Sequence, residues 1–212
     1  MQSIMWDDYY KKQMVNLLTP NEKYINSEKN KNKADLIRMK YVYDDLRNVC
    51  SNKKAMLDIG CNDGYFMRYF DWNFQDYLGV DMFAIDEYCT DYCEREDYYT
   101  KGGKIEYKCG LFEEYDFGKN KFDFIFAGEI IEHVLSVDIF LQKIIKVMKE
   151  DSILAITTPN NIGGDYPAHN RQFDKGSLFQ LLNNLFINVI VKELPAINES
   201  WPFLYARCDG LK

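Results

Sequence analysis

Short apolar runs alternate with segments of helical periodicity from residue 55 towards the end of the chain. Strands are predicted where apolar or β-branched residues run together between turn residues: Ala55–Ile59, Tyr77–Val80, Lys104–Lys108, Phe122–Ala127, Ile153–Thr157, Ile187–Lys192 and Phe203–Arg207. Helices are predicted where apolar residues recur every three or four positions: Tyr65–Phe70, Ile85–Tyr92, Ile130–Leu135, Val137–Lys149 and Ser177–Leu185. This alternation indicates a parallel sheet covered by helices on both faces.

The last two predicted strands lie close together in the chain. Too few residues separate Lys192 from Phe203 for a crossover helix, so the last strand is expected to run antiparallel at or near an edge of the sheet. The predicted fold class is therefore α/β, with a doubly wound, mostly parallel, seven-stranded Rossmann-like sheet whose last strand is antiparallel.

The segment before this alternation has a different pattern. Apolar residues recur at helical spacing from Trp6 to Leu17 and again from Ala34 to Leu46, with a polar segment between them. We therefore predict two units. Residues 1–50 form a helical extension that could serve as a lid, and residues 51–212 form the domain that carries the site.

Composition narrows the class of protein. The net charge of −7 over 212 residues argues against broad nucleic-acid binding, because phosphate contacts need a basic face. No apolar run approaches the roughly 18 residues of a membrane span, and the N-terminus lacks the pattern of a secretory leader. The six cysteines are scattered, which is typical of reduced thiols. We expect a cytoplasmic protein without a membrane partner; the sequence predicts no oligomeric state.

A glycine-bearing turn and an acidic residue suggest a nucleoside site. The predicted strand Ala55–Ile59 runs into Gly60-Cys61-Asn62-Asp63-Gly64, and a helix is expected to start at Tyr65-Phe66. Such a turn presents backbone N–H groups to a polar or anionic cofactor. The next strand leads to Asp81, which is placed to accept hydrogen bonds from both hydroxyls of a ribose. An ordinary structural turn could contain the same glycines. The combination of this turn with Asp81 favours a nucleoside-binding site instead.

Both histidines of the chain fall on predicted loops at one edge of the sheet. His133 ends the segment Glu129-Ile130-Ile131-Glu132-His133 after the fourth strand, and His169 begins His169-Asn170-Arg171-Gln172-Phe173 after the fifth. In open α/β sheets, ligands bind beyond the carboxyl ends of the strands. Both histidines are therefore candidate catalytic residues, since histidine is a base near neutral pH. The other interpretation is that both histidines have only a structural role.

Together these segments resemble the class I S-adenosylmethionine-dependent methyltransferases. The resemblance rests on Asp58 with the alternating Gly60, Asn62 and Gly64, on E-x-x-E-H, and on T-P-N followed by H-x-R-x-F. Asn62 replaces a middle glycine, and Asn tolerates positive φ better than most residues. The subgroup includes ubiquinone-pathway O-methyltransferases and many sugar and small-metabolite methyltransferases. It implies S-adenosylmethionine as cofactor, S-adenosylhomocysteine as product, and a small-molecule or sugar acceptor.

The resemblance also implies a role for each position. The residues Gly60, Asn62 and Gly64 would line the methionine end of the cofactor, with Asp58 near its amino group and Asp81 at the ribose. Further implied cofactor contacts are Asp63, Tyr65 and Phe66 in the turn, Met82, Leu111 and Phe112 around the adenine, and Ala127 and Glu129 beneath the sulfonium. Many relatives carry an acidic residue after the third strand to contact the adenine amine, whereas this chain reads Cys109-Gly110-Leu111.

Methyl transfer to a hydroxyl needs alignment, exclusion of water and removal of a proton. Alignment alone can supply about 7–11 kcal/mol, and a general base adds about 10²–10⁴-fold. We favour His133 as that base, with His169 as the second candidate.

A metal site is an alternative interpretation of these residues. On the predicted helix Glu129 lies one turn from Glu132 and His133, and His169 would complete a set suited to Mg²⁺, Mn²⁺ or Zn²⁺. This resembles the metal site of small-RNA 3′-end 2′-O-methyltransferases. In relatives without a metal, Glu129 would instead serve the helix N-terminus. The metal site is not the favoured hypothesis. A third hypothesis is a catalytically silent subunit that binds the cofactor.

Overall fold

The computed structural model describes residues 33–62, 64, 74–82, 104–160, 168–194 and 202–212, with the side chains of residues 33–37, 39 and 40 left out. The strands are β1 (Ala55–Ile59), β2 (Asp76–Asp81), β3 (Lys104–Cys109), β4 (Phe122–Gly128), β5 (Met148–Pro159), β6 (Phe186–Leu194) and β7 (Phe203–Leu211). The described helices are α1 (Lys33–Leu46), α2 (Val137–Val147) and α3 (Lys175–Asn183). The predicted helices Tyr65–Phe70, Ile85–Tyr92 and the one from Trp6 to Leu17 lie outside the described residues.

The seven strands form one sheet in the order β3-β2-β1-β4-β5-β7-β6. Neighbours from β3 to β5 pair in parallel, whereas β7 runs antiparallel to both β5 and β6. The predicted fold class is confirmed, and the antiparallel last strand lies one place from the edge. No helix among the described residues is long and apolar enough to cross a membrane.

Alternate residues of the strands pack into two cores, as expected for a sheet covered on both faces. The first core contains Leu57 and Ile125 from the sheet together with the buried side of α2. The second core contains Met56 and Phe124 together with Leu46 of α1. The carboxyl ends of β1, β2, β4 and β5 therefore meet at one edge between two packed faces.

An ionic cluster joins α1 to the sheet. The Asp45 carboxylate accepts hydrogen bonds from the Tyr205 hydroxyl at 2.8 Å and the Arg207 guanidinium at 2.6 Å. Lys192 Nζ lies 3.6 Å from the same carboxylate. The end of α1 around Asp45, within the predicted extension 1–50, is thus packed on the sheet. The lid function remains a prediction, and residues 1–32 lie outside the described part of the chain.

The predicted helix Ile130–Leu135 is wrong, because this segment forms a turn. Two of its carbonyl groups accept from outside the segment: Asn170 N–H donates to the Glu132 carbonyl at 2.8 Å, and Arg171 donates to the Leu135 carbonyl at 2.9 Å. Within the segment, His133 N–H donates to the Ile130 carbonyl at 2.9 Å, three residues away, which closes a single turn. The segment is therefore held by this turn and by hydrogen bonds from the loop after β5.

Two predicted helices differ at their ends. Helix α2 begins at Val137 as predicted but ends at Val147, because Met148 already pairs with Phe122 in the sheet. Helix α3 begins at Lys175 rather than Ser177. The Asp174 carboxylate accepts from Ser177 N–H at 2.6 Å and caps the helix two residues earlier than the apolar pattern indicated.

Candidate functional site

The turn after β1 takes the conformation that its residue types allow. Gly60, Asn62 and Gly64 have φ of 71°, 46° and 69°, in the left-handed region that glycine and asparagine tolerate best. Gly60 N–H donates to the Val80 carbonyl at 2.8 Å, and Asn62 N–H donates to Asp81 Oδ2 at 2.8 Å. The structure therefore brings the turn and the acidic end of β2 together, as the sequence predicts.

Asp58 lies beneath this turn with only 1% of its surface exposed. The Tyr77 hydroxyl donates a hydrogen bond of 2.8 Å to Asp58 Oδ2. Burial, and then the charge of Asp58, hold the pKa of Tyr77 well above its usual range. Tyr77 therefore remains a hydrogen-bond donor at physiological pH.

Tyr107 fills the space under the turn. A Cβ placed on Gly64 would overlap the Tyr107 hydroxyl oxygen, and one placed on Gly79 would lie 2.7 Å from Cys61 Sγ and 2.8 Å from Tyr107 Cδ1. Two glycines thus make room for one aromatic ring. Sequence reasoning missed both Tyr77 and Tyr107. The available signal was the alternation of side chains along β2 and β3 beside the turn.

The predicted adenine residues have different environments. Met82 and Leu111 are half-buried beyond the ends of β2 and β3. The Phe112 ring is buried in the first core, 5.6 Å from the Phe117 ring and 5.4 Å from the Phe140 ring. Their contacts with a cofactor remain predictions. The predicted residues Asp63, Tyr65 and Phe66 lie outside the described residues.

Glu129 lies at the end of β4 in a strained conformation. Its φ is 52°, which is uncommon for a residue with a side chain, and its N–H donates to the Thr157 carbonyl at 2.9 Å. Its carboxylate forms an ion pair of 2.7 Å with Arg38 of α1. The predicted helical relation of Glu129 to Glu132 is therefore wrong. Ala127, two residues earlier, is fully buried in the first core.

Glu132 is a buried acid beside the histidines, with 2% of its surface exposed. The Thr158 hydroxyl donates to Glu132 Oε2 at 2.9 Å. Burial, followed by the charge of Glu129, raises the pKa of Glu132 well above its usual range. Burial therefore makes this carboxyl group a weaker acid than an exposed glutamate.

His133 is held in one tautomer. Its Nδ1 atom lies 2.8 Å from the Ala168 carbonyl oxygen. Because a carbonyl oxygen only accepts, Nδ1 carries the proton and Nε2 of the neutral ring carries a lone pair. Nε2 lies 3.7 Å from Glu132 Oε1. Burial lowers the pKa of His133, so the neutral ring is favoured at neutral pH.

His169 packs next to His133. The two rings lie 4.9 Å apart at an angle of 73°. Burial, and then the neighbouring His133, lower the pKa of His169 to about 4. Among the described residues, Glu132, His133 and His169 form a group whose potential ligand atoms lie within 4.8 Å of one another. Three of the four predicted metal candidates thus converge, whereas Glu129 is outside that group.

The two histidine loops are bonded into one unit. Asn170 donates through its backbone N–H to Glu132 at 2.8 Å and through its side-chain amide to His133 at 2.6 Å, in both cases to the carbonyl oxygen. Arg171 adds its hydrogen bond to the Leu135 carbonyl. The sequence placed Asn170 and Arg171 in a motif without assigning them this function.

The chain is similar to known proteins in sequence. Residues 36–190 match the sequence profile of the family described as methyltransferase domain. A ubiquinone biosynthesis O-methyltransferase of Rhodopseudomonas palustris (strain HaA2) is 30% identical over 141 residues, which cover 59% of this chain and 53% of the relative. This chain thus spans about half the length of the curated relatives it matches.

Two solved structures are similar in fold. A 1,6-didemethyltoxoflavin-N1-methyltransferase of Burkholderia thailandensis, with S-adenosylhomocysteine bound, superposes with a TM-score of 0.76 at 15% identity over 96% of this chain and 89% of its own. The [4+2]-cyclase SpnF superposes with a TM-score of 0.69 at 14% identity, over 94% of this chain and 96% of its own. At these identities the likeness concerns the fold alone.

Proposed function

This chain belongs to the methyltransferase domain family, and on that premise we propose that it transfers a methyl group from S-adenosylmethionine to an oxygen atom of a small metabolite or sugar. The observation that carries the proposal is the left-handed conformation of Gly60, Asn62 and Gly64, with the Asn62 N–H bonded to Asp81. The name of the curated relatives, O-methyltransferases, supports oxygen as the acceptor atom.

The residues of the turn fit the proposed cofactor. The chain can approach a ligand closely at Gly60 and Gly64, which carry no side chain. Asp81 at the end of β2 would hold the ribose hydroxyls, and Asp58 would face the amino group. When bound, S-adenosylmethionine supplies a methyl group activated by its sulfonium and leaves as S-adenosylhomocysteine.

His133 is the proposed general base. An acceptor hydroxyl would give its proton to Nε2 while its oxygen forms the bond to the methyl carbon. The Ala168 carbonyl keeps the other ring nitrogen protonated, so the lone pair of the neutral ring is on Nε2. Such a base contributes about 10²–10⁴-fold. His169, whose ring contacts that of His133, is the second candidate.

A divalent cation is a second candidate, and the convergence of Glu132, His133 and His169 within 4.8 Å favours it. One carboxylate and two imidazoles suit Zn²⁺ or Mn²⁺. The cation would orient neighbouring hydroxyls of the acceptor, such as those of an RNA terminal ribose. A net charge of −7 argues against RNA as that acceptor.

Calorimetric titration tests these alternatives. EDTA-treated protein is titrated with S-adenosylmethionine and S-adenosylhomocysteine, first alone and then with Mg²⁺, Mn²⁺ or Zn²⁺. Micromolar binding of both nucleosides supports the proposal, whereas binding of neither contradicts it. Heat from metal alone, lost in a His169→Gln variant, favours the cation. Cofactor binding without transfer of labelled methyl to phenolic or sugar acceptors would leave a binding protein as the better hypothesis.

A further inference from the structure

Two tyrosine hydroxyls donate to aspartates within the second core. Tyr77 donates to Asp58 at 2.8 Å, and Tyr205 donates to Asp45 at 2.8 Å. Both tyrosine side chains are buried. The two tyrosine–aspartate pairs have the same chemistry but lie in different parts of the fold. Asp45 joins α1 to β7, whereas Asp58 lies two residues before Gly60, where the chain enters the cofactor turn.

The pairing of the strands explains why the Tyr77 hydroxyl reaches Asp58. Asp58 pairs with Gly79 of β2, and Gly79 pairs with Tyr107 of β3. Because Gly79 has no side chain, the Tyr107 ring occupies the space above it. That ring contacts the Tyr77 ring edge-on, at 5.6 Å and 65°. Tyr77 is therefore supported from β3 with its hydroxyl directed at Asp58.

A fixed donor limits the motion of a buried carboxylate. The Tyr77 hydroxyl holds one oxygen of Asp58, and burial ensures that the phenol stays protonated. Hydrogen bonds to a charged group are worth more than neutral ones. A carboxylate already oriented before the ligand arrives loses less conformational freedom on binding.

We infer that Tyr77 is a positioning residue that orients the Asp58 carboxylate for the α-amino group of the cofactor. It would thereby set the preference of the protein for nucleosides that carry this amino group. The inference rests on the proposed function, because it assumes that the turn at Gly60–Gly64 binds a ligand of the S-adenosylhomocysteine type.

The test compares two ligands that differ in one group. S-adenosylhomocysteine and its analogue with hydrogen in place of the α-amino group are titrated by calorimetry into wild type and Tyr77→Phe. We expect Tyr77→Phe to weaken the binding of S-adenosylhomocysteine about tenfold, which is the loss of affinity expected for one charge-assisted hydrogen bond. The affinity for the deamino analogue should remain within about twofold, since that ligand makes no contact that Tyr77 supports.

Tyr205→Phe is the matched control, because it removes the same type of buried hydroxyl from an aspartate outside the turn. We expect it to lower the unfolding midpoint while both affinities stay unchanged. If Tyr77→Phe weakened the binding of both ligands equally, or of neither, the positioning role would be overturned. A selective loss of affinity for S-adenosylhomocysteine in Tyr205→Phe would also overturn it, since the effect would then not be specific to Asp58.

A second variant keeps the inference testable if Tyr77→Phe does not fold. Asp58→Asn preserves the shape of the side chain and an acceptor oxygen for Tyr77, and it should show the same selective loss of S-adenosylhomocysteine. An unchanged ratio of the two affinities in Asp58→Asn would overturn the inference. Wild-type protein that binds neither nucleoside would contradict the proposed function instead.

Discussion

The imidazole of His133 donates from Nδ1 to the backbone carbonyl of Ala168 at 2.8 Å, across 35 positions of the chain. The bond joins the turn after β4 to the loop after β5, and it leaves the Nε2 lone pair of the neutral ring available. A backbone carbonyl cannot change its protonation state, so it sets the tautomer independently of pH. The proposed base is therefore oriented before any ligand arrives.

His133→Ala should lower the rate of methyl transfer by about 10²–10⁴-fold, because a general base contributes that much. The affinity for S-adenosylhomocysteine should change little, since the proposed role of the ring is to contact the acceptor and not the cofactor. Turnover and the calorimetric dissociation constant are measured on the same preparation. A variant that lost cofactor binding would remove His133 from the role of base, and His169→Ala serves as the comparison.

Activity should persist below the ordinary pKa of histidine. Burial lowers the pKa of His133 below 6.5, and a base is active only when neutral. The profile of kcat/KM against pH should therefore fall only at pH values under about 6.5. An inflection above that value would show that another group controls the reaction.

Protein stability should depend on the protonation of the same two histidines. The pKa of His133 is lowered from 6.5 and that of His169 to about 4, so the unfolded chain binds protons that the folded chain does not. The contribution of the two histidines to the free energy of unfolding should thus decrease as pH falls from about 6.5 towards 4. Urea unfolding of wild type and His169→Gln over this range measures it. Equal slopes for both proteins would contradict the assignment to His169.

Asp81→Ala should weaken S-adenosylhomocysteine binding by about one to two orders of magnitude, the loss of charge-assisted hydrogen bonds of about 1.5–3 kcal/mol. The change also removes the acceptor for Asn62 N–H. Glu150→Ala is the control, because Glu150 is exposed near the amino end of β5, away from the site. Unchanged affinity in Asp81→Ala would remove Asp81 from the ribose role.

Gly64→Ala should destabilise the turn for two reasons. Its φ of 69° is unfavourable for alanine by about 1 kcal/mol or more, and the new Cβ would overlap the Tyr107 hydroxyl. Adding Tyr107→Phe should recover part of the lost stability, since it removes that oxygen. Thermal unfolding of both variants measures the recovery, and no recovery would contradict the overlap with the hydroxyl as a cause of the lost stability.

Asn62→Gly is a change in the same turn that the backbone conformation should tolerate. Asn62 has a φ of 46°, so glycine relieves strain at this position but adds freedom to the unfolded chain. We expect a change in unfolding free energy within about 0.5 kcal/mol, with cofactor affinity retained. A large loss would show that the Asn62 side chain has a specific function.

The sequence by itself determined the parallel α/β sheet, the turn at Gly60–Gly64 and its pairing with Asp81. These features follow from short-range rules: strand periodicity, the φ values that glycine and asparagine accept, and the placement of strand ends at one edge. The approximate place of both histidines follows from the same rules, because each comes directly after a strand.

Only the tertiary structure decided how the side chains of the site are held. The turn at residues 130–135 is held to the loop after β5 by Asn170 and Arg171, which donate hydrogen bonds to its carbonyl groups. Arg38 reaches Glu129 only because α1 packs on the sheet, and Tyr77 reaches Asp58 only because β1 and β2 are neighbours. Such contacts depend on distances between residues far apart in the chain, which periodicity and residue type do not encode.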